Sequence, residues 1–132
     1  MNAGRILTAS GVDIDELRVL IHPIRPEQVW LRSASPLMMR IWGPGIQAMT
    51  LSRWIFVDPR ALNGDRARLS LLIIHELVHV RQWFDLGVPG FLRRYLGGYL
   101  RGRLDGLSHR DSYMAIPLEI EARHLQSRFM RT

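Results

Sequence analysis

The stretch from Asp65 to Leu86 constrains this chain more than any other, because it reads as one helix that is apolar over most of its circumference. Asn63-Gly64-Asp65 offers helix-starting chemistry, and Gly87 followed by Pro89 supplies the stop. Leu69, Leu72, Ile73, Leu77, Val80, Trp83 and Phe84 suit a helix buried in a small core. In its middle, directly after Leu71-Leu72-Ile73-Ile74, stand His75, Glu76 and His79. Polar and charged groups in such surroundings are costly unless paired or bound to a metal. Two histidines four apart lie one helical turn apart on the same face, so both imidazoles can reach one ion. Glu76 is too close to His75 to join that ligand set comfortably. It is placed to take the proton of a water at the open coordination position, as a general base.

Cysteine is absent, so a bound metal must use imidazole and carboxylate. A catalytic zinc site has three protein ligands and one open position, and the candidates for the third ligand are His22, His109, His124 and several acids. The segment Ile116-Pro-Leu-Glu119-Ile-Glu121-Ala122 stands out, with two carboxylates opening an otherwise apolar helix that Pro117 starts well. Acids at a helix N-terminus are also favourable with the helix dipole alone. Leu118, Ala122, Leu125 and Phe129 form one apolar stripe at about 100° per residue, and Glu119 and Glu121 flank it on opposite sides. Only one of the two can face the metal, and helical geometry does not choose between them.

His-Glu-Leu-Val-His-Val-Arg-Gln from His75, followed by Pro117-Leu-Glu-Ile-Glu-Ala122, resembles the gluzincin pattern of zinc metallopeptidases, in particular the small minigluzincins and compact bacterial HExxH proteins. The resemblance covers roughly residues 46 to 125. It implies a minimal zincin-like fold, zinc as cofactor, and a downstream helix that supplies a glutamate as third ligand. In related peptidases, the CAAX-protease group among them, that helix reads E-x-x-A-D and its first glutamate binds zinc. Carried over by position, Glu119 is the ligand and Ala122 the small residue. Arg123 stands where those proteins have aspartate, which leaves Glu121 to support the ligands from behind. The resemblance also makes Arg53-Trp-Ile-Phe-Val57 the edge strand that would bind an extended peptide by main-chain pairing. His109 and Tyr113, on the way to Glu119, are candidate donors to the oxyanion of the reaction. Gln82 receives no role.

Around this motif the sequence predicts an α+β fold, with a small sheet in the N-terminal half packed on the central helix and further helices after it. Residues 1 to about 15 are expected to be poorly ordered. Leu17-Arg-Val-Leu-Ile21 reads as a short strand, Gly43-Pro44-Gly45 as a turn, and Ile46–Thr50 with Arg53–Val57 as a strand pair. A second helix is expected from Pro89 to Leu104, weakened by Gly97, Gly98 and Gly102. A loop follows from Asp105 to Ala115, then a third helix from Pro117 to about Met130. The whole chain of 132 residues fits one domain.

With 47% apolar and 23% charged residues the chain has the balance of a soluble globular protein. There is no run of 18 apolar residues, and the opening Met1-Asn-Ala-Gly-Arg-Ile-Leu-Thr8 lacks the apolar core of a secretory signal, so a cytoplasmic location is expected. All 18 basic residues are arginine and the net charge is +6. Peptide or protein substrates are the expected partners, with acidic ones favoured by that charge. Arg93, Arg94, Arg101 and Arg103, interleaved with aromatics and without an acid, also suit nucleic acid or an anionic membrane surface. Two rivals therefore stand beside the peptidase reading. One is a non-catalytic metal-binding module, and the other is a basic nucleic-acid or lipid-surface binder with a vestigial metal site.

Overall fold

A computed structural model describes residues 1–43 and 45–129. The fold is α+β, with a three-stranded sheet in the N-terminal half packed against a long central helix and the helices that follow it. The elements run α1 (Ala3–Ala9), α2 (Ile14–Ile21), β1 (Trp30–Ser33), α3 (Pro36–Trp42), β2 (Ala48–Leu51), β3 (Trp54–Val57), α4 (Pro59–Leu62), α5 (Arg66–Leu104), α6 (His109–Met114) and α7 (Pro117–Gln126).

Two N-terminal expectations are corrected. Residues 1 to 15 are ordered, because α1 is capped by the Asn2 side chain and buries Ala3 and Leu7 completely in the core. Leu17–Ile21 is the end of a helix, not a strand. The Asp13 side chain caps α2 at the amide of Glu16, and Leu17 and Ile21, one turn apart, turn inward while Val19 points out. Five apolar-rich residues are too few to separate a period of two from one of 3.6.

The sheet order is β1-β3-β2, with β1 parallel and β2 antiparallel to β3. The pair β2 and β3 is a hairpin closed at Leu51 and Trp54, with Ser52 in the left-handed region at the turn. Ile55 and Val57 of β3 are fully buried, and together with Leu17, Ile21, Ile73, Ile74 and Leu77 they form the core between α2, the sheet and the first part of α5. The segment Arg53–Val57 is thus the middle of the sheet and not its edge. The edge beside α5 is β2.

Helix α5 starts on the Asp65 cap and breaks at Gly87, whose φ of 71° and ψ of 168° are foreign to a helix. Trp83 and Phe91, eight residues apart, would lie about 12 Å apart along a straight helix. Their rings instead stack at 4.1 Å, so the chain bends sharply at Gly87 and residues 88–104 lie back over the end of the first half. Pro89 sits in the first turn after the break, where its missing N–H costs nothing. Gly98 and Gly102 are contact points: a methyl group at 102 would meet Ser112 of α6 at 2.9 Å, and one at 98 would meet Pro117 at 3.0 Å.

Where a loop was expected between Asp105 and Ala115, α6 forms. Ser108 caps it by accepting from the amide of Asp111, and the Ser108-His-Arg-Asp111 spacing carries that signal. Helix α7 begins with Pro117 and turns Glu119 and Ala122 inward. The helix ends at Gln126 and a 3-10 turn follows over Ser127–Phe129, while Met130, where the helix was expected to end, and Pro44 of the predicted turn lie outside the described residues.

Candidate metal centre

His75, Glu76 and His79 leave the first half of α5 on one face, and their ligand atoms all lie within 4.8 Å of one another. This group could hold a metal ion, and no other group of this kind occurs among the described residues. Helix α7 brings a fourth group to them. Glu119 Oε1 lies 2.9 Å from His75 Nε2, and Glu119 Oε2 lies 3.0 Å from His79 Nε2. Its carboxylate is buried and spans the two imidazoles.

The other side of each ring fixes the chemistry of this cluster. His79 Nδ1 lies 2.7 Å from Gln82 Oε1. The amide of Gln82 cannot be turned round, because its Nε2 donates to the Leu118 carbonyl at 3.0 Å and to Glu121 Oε1 at 2.9 Å. Facing an oxygen, His79 Nδ1 must carry a proton and donate it. In the neutral ring the Nε2 is then a lone pair, aimed at a carboxylate oxygen. His75 repeats the arrangement, with Nδ1 2.9 Å from Gln126 Oε1 and Nε2 on Glu119. Two lone pairs and a carboxylate facing one another need positive charge between them, either protons or a metal cation. His79 Nε2 is also the one buried side-chain polar atom without a hydrogen bond among the described residues, since its short approach to Glu119 lacks the required direction. Two nitrogens and a carboxylate, converging with an orphaned nitrogen among them, fit a divalent cation.

Protonation in the metal-free cluster follows the same logic. Burial works against a charged His79, but the contact with Glu119 and the negative charges of Glu76 and Glu119 outweigh it and push its pKa up to about 9. Burial would raise Glu119, yet the two imidazoles and the Tyr95 hydroxyl, 2.6 Å from Oε2, hold it well below the usual carboxylate range. Glu76 goes the other way. It is fully enclosed, and loss of hydration raises its pKa despite the neighbouring histidines. Thr50 steadies it from β2, with its hydroxyl 3.4 Å from Glu76 Oε1 and 3.2 Å from the Glu76 carbonyl.

A cleft of about 200 Å³ opens beside Glu76, His79 and Glu119. One wall is β2 with Ala48, Met49 and Thr50; the other is the second half of α5 with Phe91, Leu92, Tyr95 and Leu96. Trp83 ties the walls together, donating its indole N–H to the Thr50 carbonyl at 3.2 Å and stacking on Phe91. Tyr113 of α6 also lines the cleft, and burial together with the Glu119 and Glu76 charges keeps its phenol protonated by raising its pKa.

Of the residues singled out in the sequence, His75, Glu76, His79, Glu119 and Tyr113 come together. His109 does not. It is exposed, its Nδ1 lies 2.8 Å from the Tyr99 hydroxyl, and it is not among the residues that line the cleft. Glu121 does not face the histidines directly but supports His79 through Gln82. Arg123, half-buried, bonds back to the Met114 carbonyl and supports neither ring. Gln82, Gln126, Tyr95 and Thr50 carry no sequence signal of their own. Only Gln82, three residues after His79 and so on its side of the helix, could have been suspected. No family model matches the chain, and no curated protein or solved structure resembles it significantly.

Proposed function

We propose that the chain is a zinc-dependent metallopeptidase of the gluzincin kind, with His75, His79 and Glu119 as metal ligands and Glu76 as general base. One observation carries the reading: two imidazoles, each with Nδ1 against a glutamine oxygen, turn their Nε2 atoms to the same buried carboxylate. His75, His79 and Glu119 would hold zinc through two nitrogens and one oxygen and leave a position free for a water or a substrate oxygen. Bound there, zinc supplies a Lewis acid that lowers the pKa of water and polarises a carbonyl.

The remaining work falls to residues of the chain. Glu76 receives the proton of the attacking water and returns it to the leaving amine; its enclosure favours a carboxylate willing to hold a proton between the two steps. The Thr50 hydroxyl keeps that carboxylate aimed at the cleft. Tyr113 keeps its phenolic proton and offers it to the oxygen on which negative charge develops. Tyr95 is committed to Glu119 and holds it in place between the histidines. Main-chain pairing of an extended substrate falls to β2, the sheet edge that lines the cleft, and not to β3.

The test is Glu76→Gln. Incubated with a mixture of peptides and followed by mass spectrometry, the zinc-loaded wild-type chain should produce defined cuts. The variant should bind zinc equally well and produce none. Equal cutting by the two proteins would remove Glu76 from the mechanism, and absence of cutting by wild type on any peptide would return the chain to a metal-binding module.

A further inference from the structure

Beyond the bend at Gly87, the second half of α5 turns large apolar side chains to solvent at every fourth position. Val88, Leu92, Leu96, Leu100 and Leu104 follow one another, and their exposure runs from 42% at Leu92 to 86% at Leu104. Phe84 continues the series on the other side of the bend. Each step of four advances by about 40° around the helix, so the five cover a band of about 160° and about 24 Å in length. Exposed apolar surface gathered along one helix in this way is the kind that marks a partner or membrane site.

The charges within and beside the band name the partner. Between residues 88 and 104 there are four arginines, Arg93, Arg94, Arg101 and Arg103, and no acid. All four are exposed, and none is in an ion pair among the described residues. Arg93, Arg94 and Arg101 border an open groove along one side of the band, where Gly90, Gly97 and Gly98 leave room between them. The acid in that groove, Asp85, is already held by Arg81 at 2.9 Å. Apolar side chains flanked by unpaired guanidinium groups match the boundary between acyl chains and anionic headgroups, into which arginine stems can reach. No described helix is long and apolar enough to cross a membrane.

We infer that residues 88–104 form an interfacial helix that seats the protein on an anionic phospholipid bilayer. Nucleic acid would use the arginines and leave the leucines in water. A second copy of the chain would cover the leucines but bring like charges together. The bilayer uses both. Leu92 and Leu96 belong to the band and also to the wall of the cleft. If the peptidase reading holds, the cleft therefore opens at the bilayer surface, toward peptide segments lying on or emerging from it.

The experiment uses the whole chain without metal, so that its outcome is independent of the peptidase reading. Sedimentation with vesicles of phosphatidylcholine alone is compared with vesicles that also contain phosphatidylserine. Binding is expected to the mixed vesicles and to be much weaker on the neutral ones. Replacing Arg93, Arg94, Arg101 and Arg103 together by Gln should weaken it on the order of a hundredfold or more. Leu100→Ser with Leu104→Ser, outside the cleft, should weaken it by about tenfold or more. As the chain has no cysteine, Leu100→Cys also gives a single site for an environment-sensitive fluorophore, whose emission should shift to the blue on mixed vesicles. Failure to bind mixed vesicles would overturn the inference. So would binding that the leucine variant leaves unchanged, an unshifted fluorophore, or a stable dimer that covers the band and stays off the vesicles.

Discussion

Loading zinc at neutral pH should drive about one proton or more off the protein for each ion bound. The buried carboxylates Glu119 and Glu76 hold His79 at a pKa of about 9, against the ordinary 6.5 for a histidine. At pH 7.5 its ring is then mostly protonated, whereas an ordinary imidazole would be mostly neutral. A metal must take the place of that proton on Nε2. Affinity should consequently rise about tenfold per pH unit from 7 toward 9, and level off above it. Titration calorimetry in two buffers of different ionisation enthalpy at pH 7.5 counts the released protons. A chromophoric chelator competing across the pH range gives the slope. Release of only about a tenth of a proton, with an affinity flat from pH 7 to 9, would refute the reasoning, because it would mean that Glu119 and Glu76 do not hold the imidazolium.

The same proton has a consequence for the metal-free fold. A folded pKa above the unfolded one stabilises fully below about 6.5 and ceases to do so as pH rises through about 9, so thermal unfolding of the metal-free protein should shift to lower temperature across that window. Gln82→Leu leaves His79 Nδ1 without its acceptor and frees Glu121, and should weaken zinc about 10- to 100-fold in competitive titration while the ligands stay intact. Tyr113→Phe should lower kcat on the order of a hundredfold with KM and zinc content little changed, as measured on any peptide that the wild type cuts. Gly102→Ala drives a methyl group to 2.9 Å from Ser112 and should cost about 1–3 kcal/mol in denaturant unfolding. Gly97→Ala meets nothing within 4 Å and should stabilise by about 0.5–1 kcal/mol.

The fold class and the central helix were legible in the sequence because their signals are long. The apolar run from Leu69 to Phe84, the Asp65 start and the Gly87-Val-Pro89 stop all agree, and the structure bends at Gly87. Short signals failed. Leu17–Ile21 has too few residues to reveal its period, and its helix rests on a cap at Asp13 that lies outside the apolar run. The edge of the sheet could not be read from Arg53–Val57, because strand order depends on where β1 inserts, and β1 pairs with β3 across more than twenty residues of sequence. Residues 1 to 15 look polar, yet Ala3 and Leu7 are fully buried, and Ile6, Val12 and Ile14 pack against the same core.

In the candidate centre, the sequence placed His75 and His79 on one face because four residues make nearly one turn, with Glu76 beside them. Helical geometry did not choose between Glu119 and Glu121, which stand symmetrically about the apolar stripe, and only the resemblance pointed to Glu119. Packing of α7 on α5 separates them, turning Glu119 to the imidazoles and Glu121 to Gln82. Gln126 was out of reach of any local reading, since it meets His75 across 51 residues. Tyr95 reaches Glu119 only because the bend at Gly87 folds its helix back.

Anomalous diffraction at the zinc edge, from crystals of the zinc-loaded chain, tests the cluster most directly. A single peak is predicted about 2.0–2.2 Å from His75 Nε2, His79 Nε2 and an oxygen of Glu119, with both Nδ1 atoms still on Gln126 and Gln82. A peak held by other side chains, or none while Glu119 still spans the two imidazoles, would contradict it.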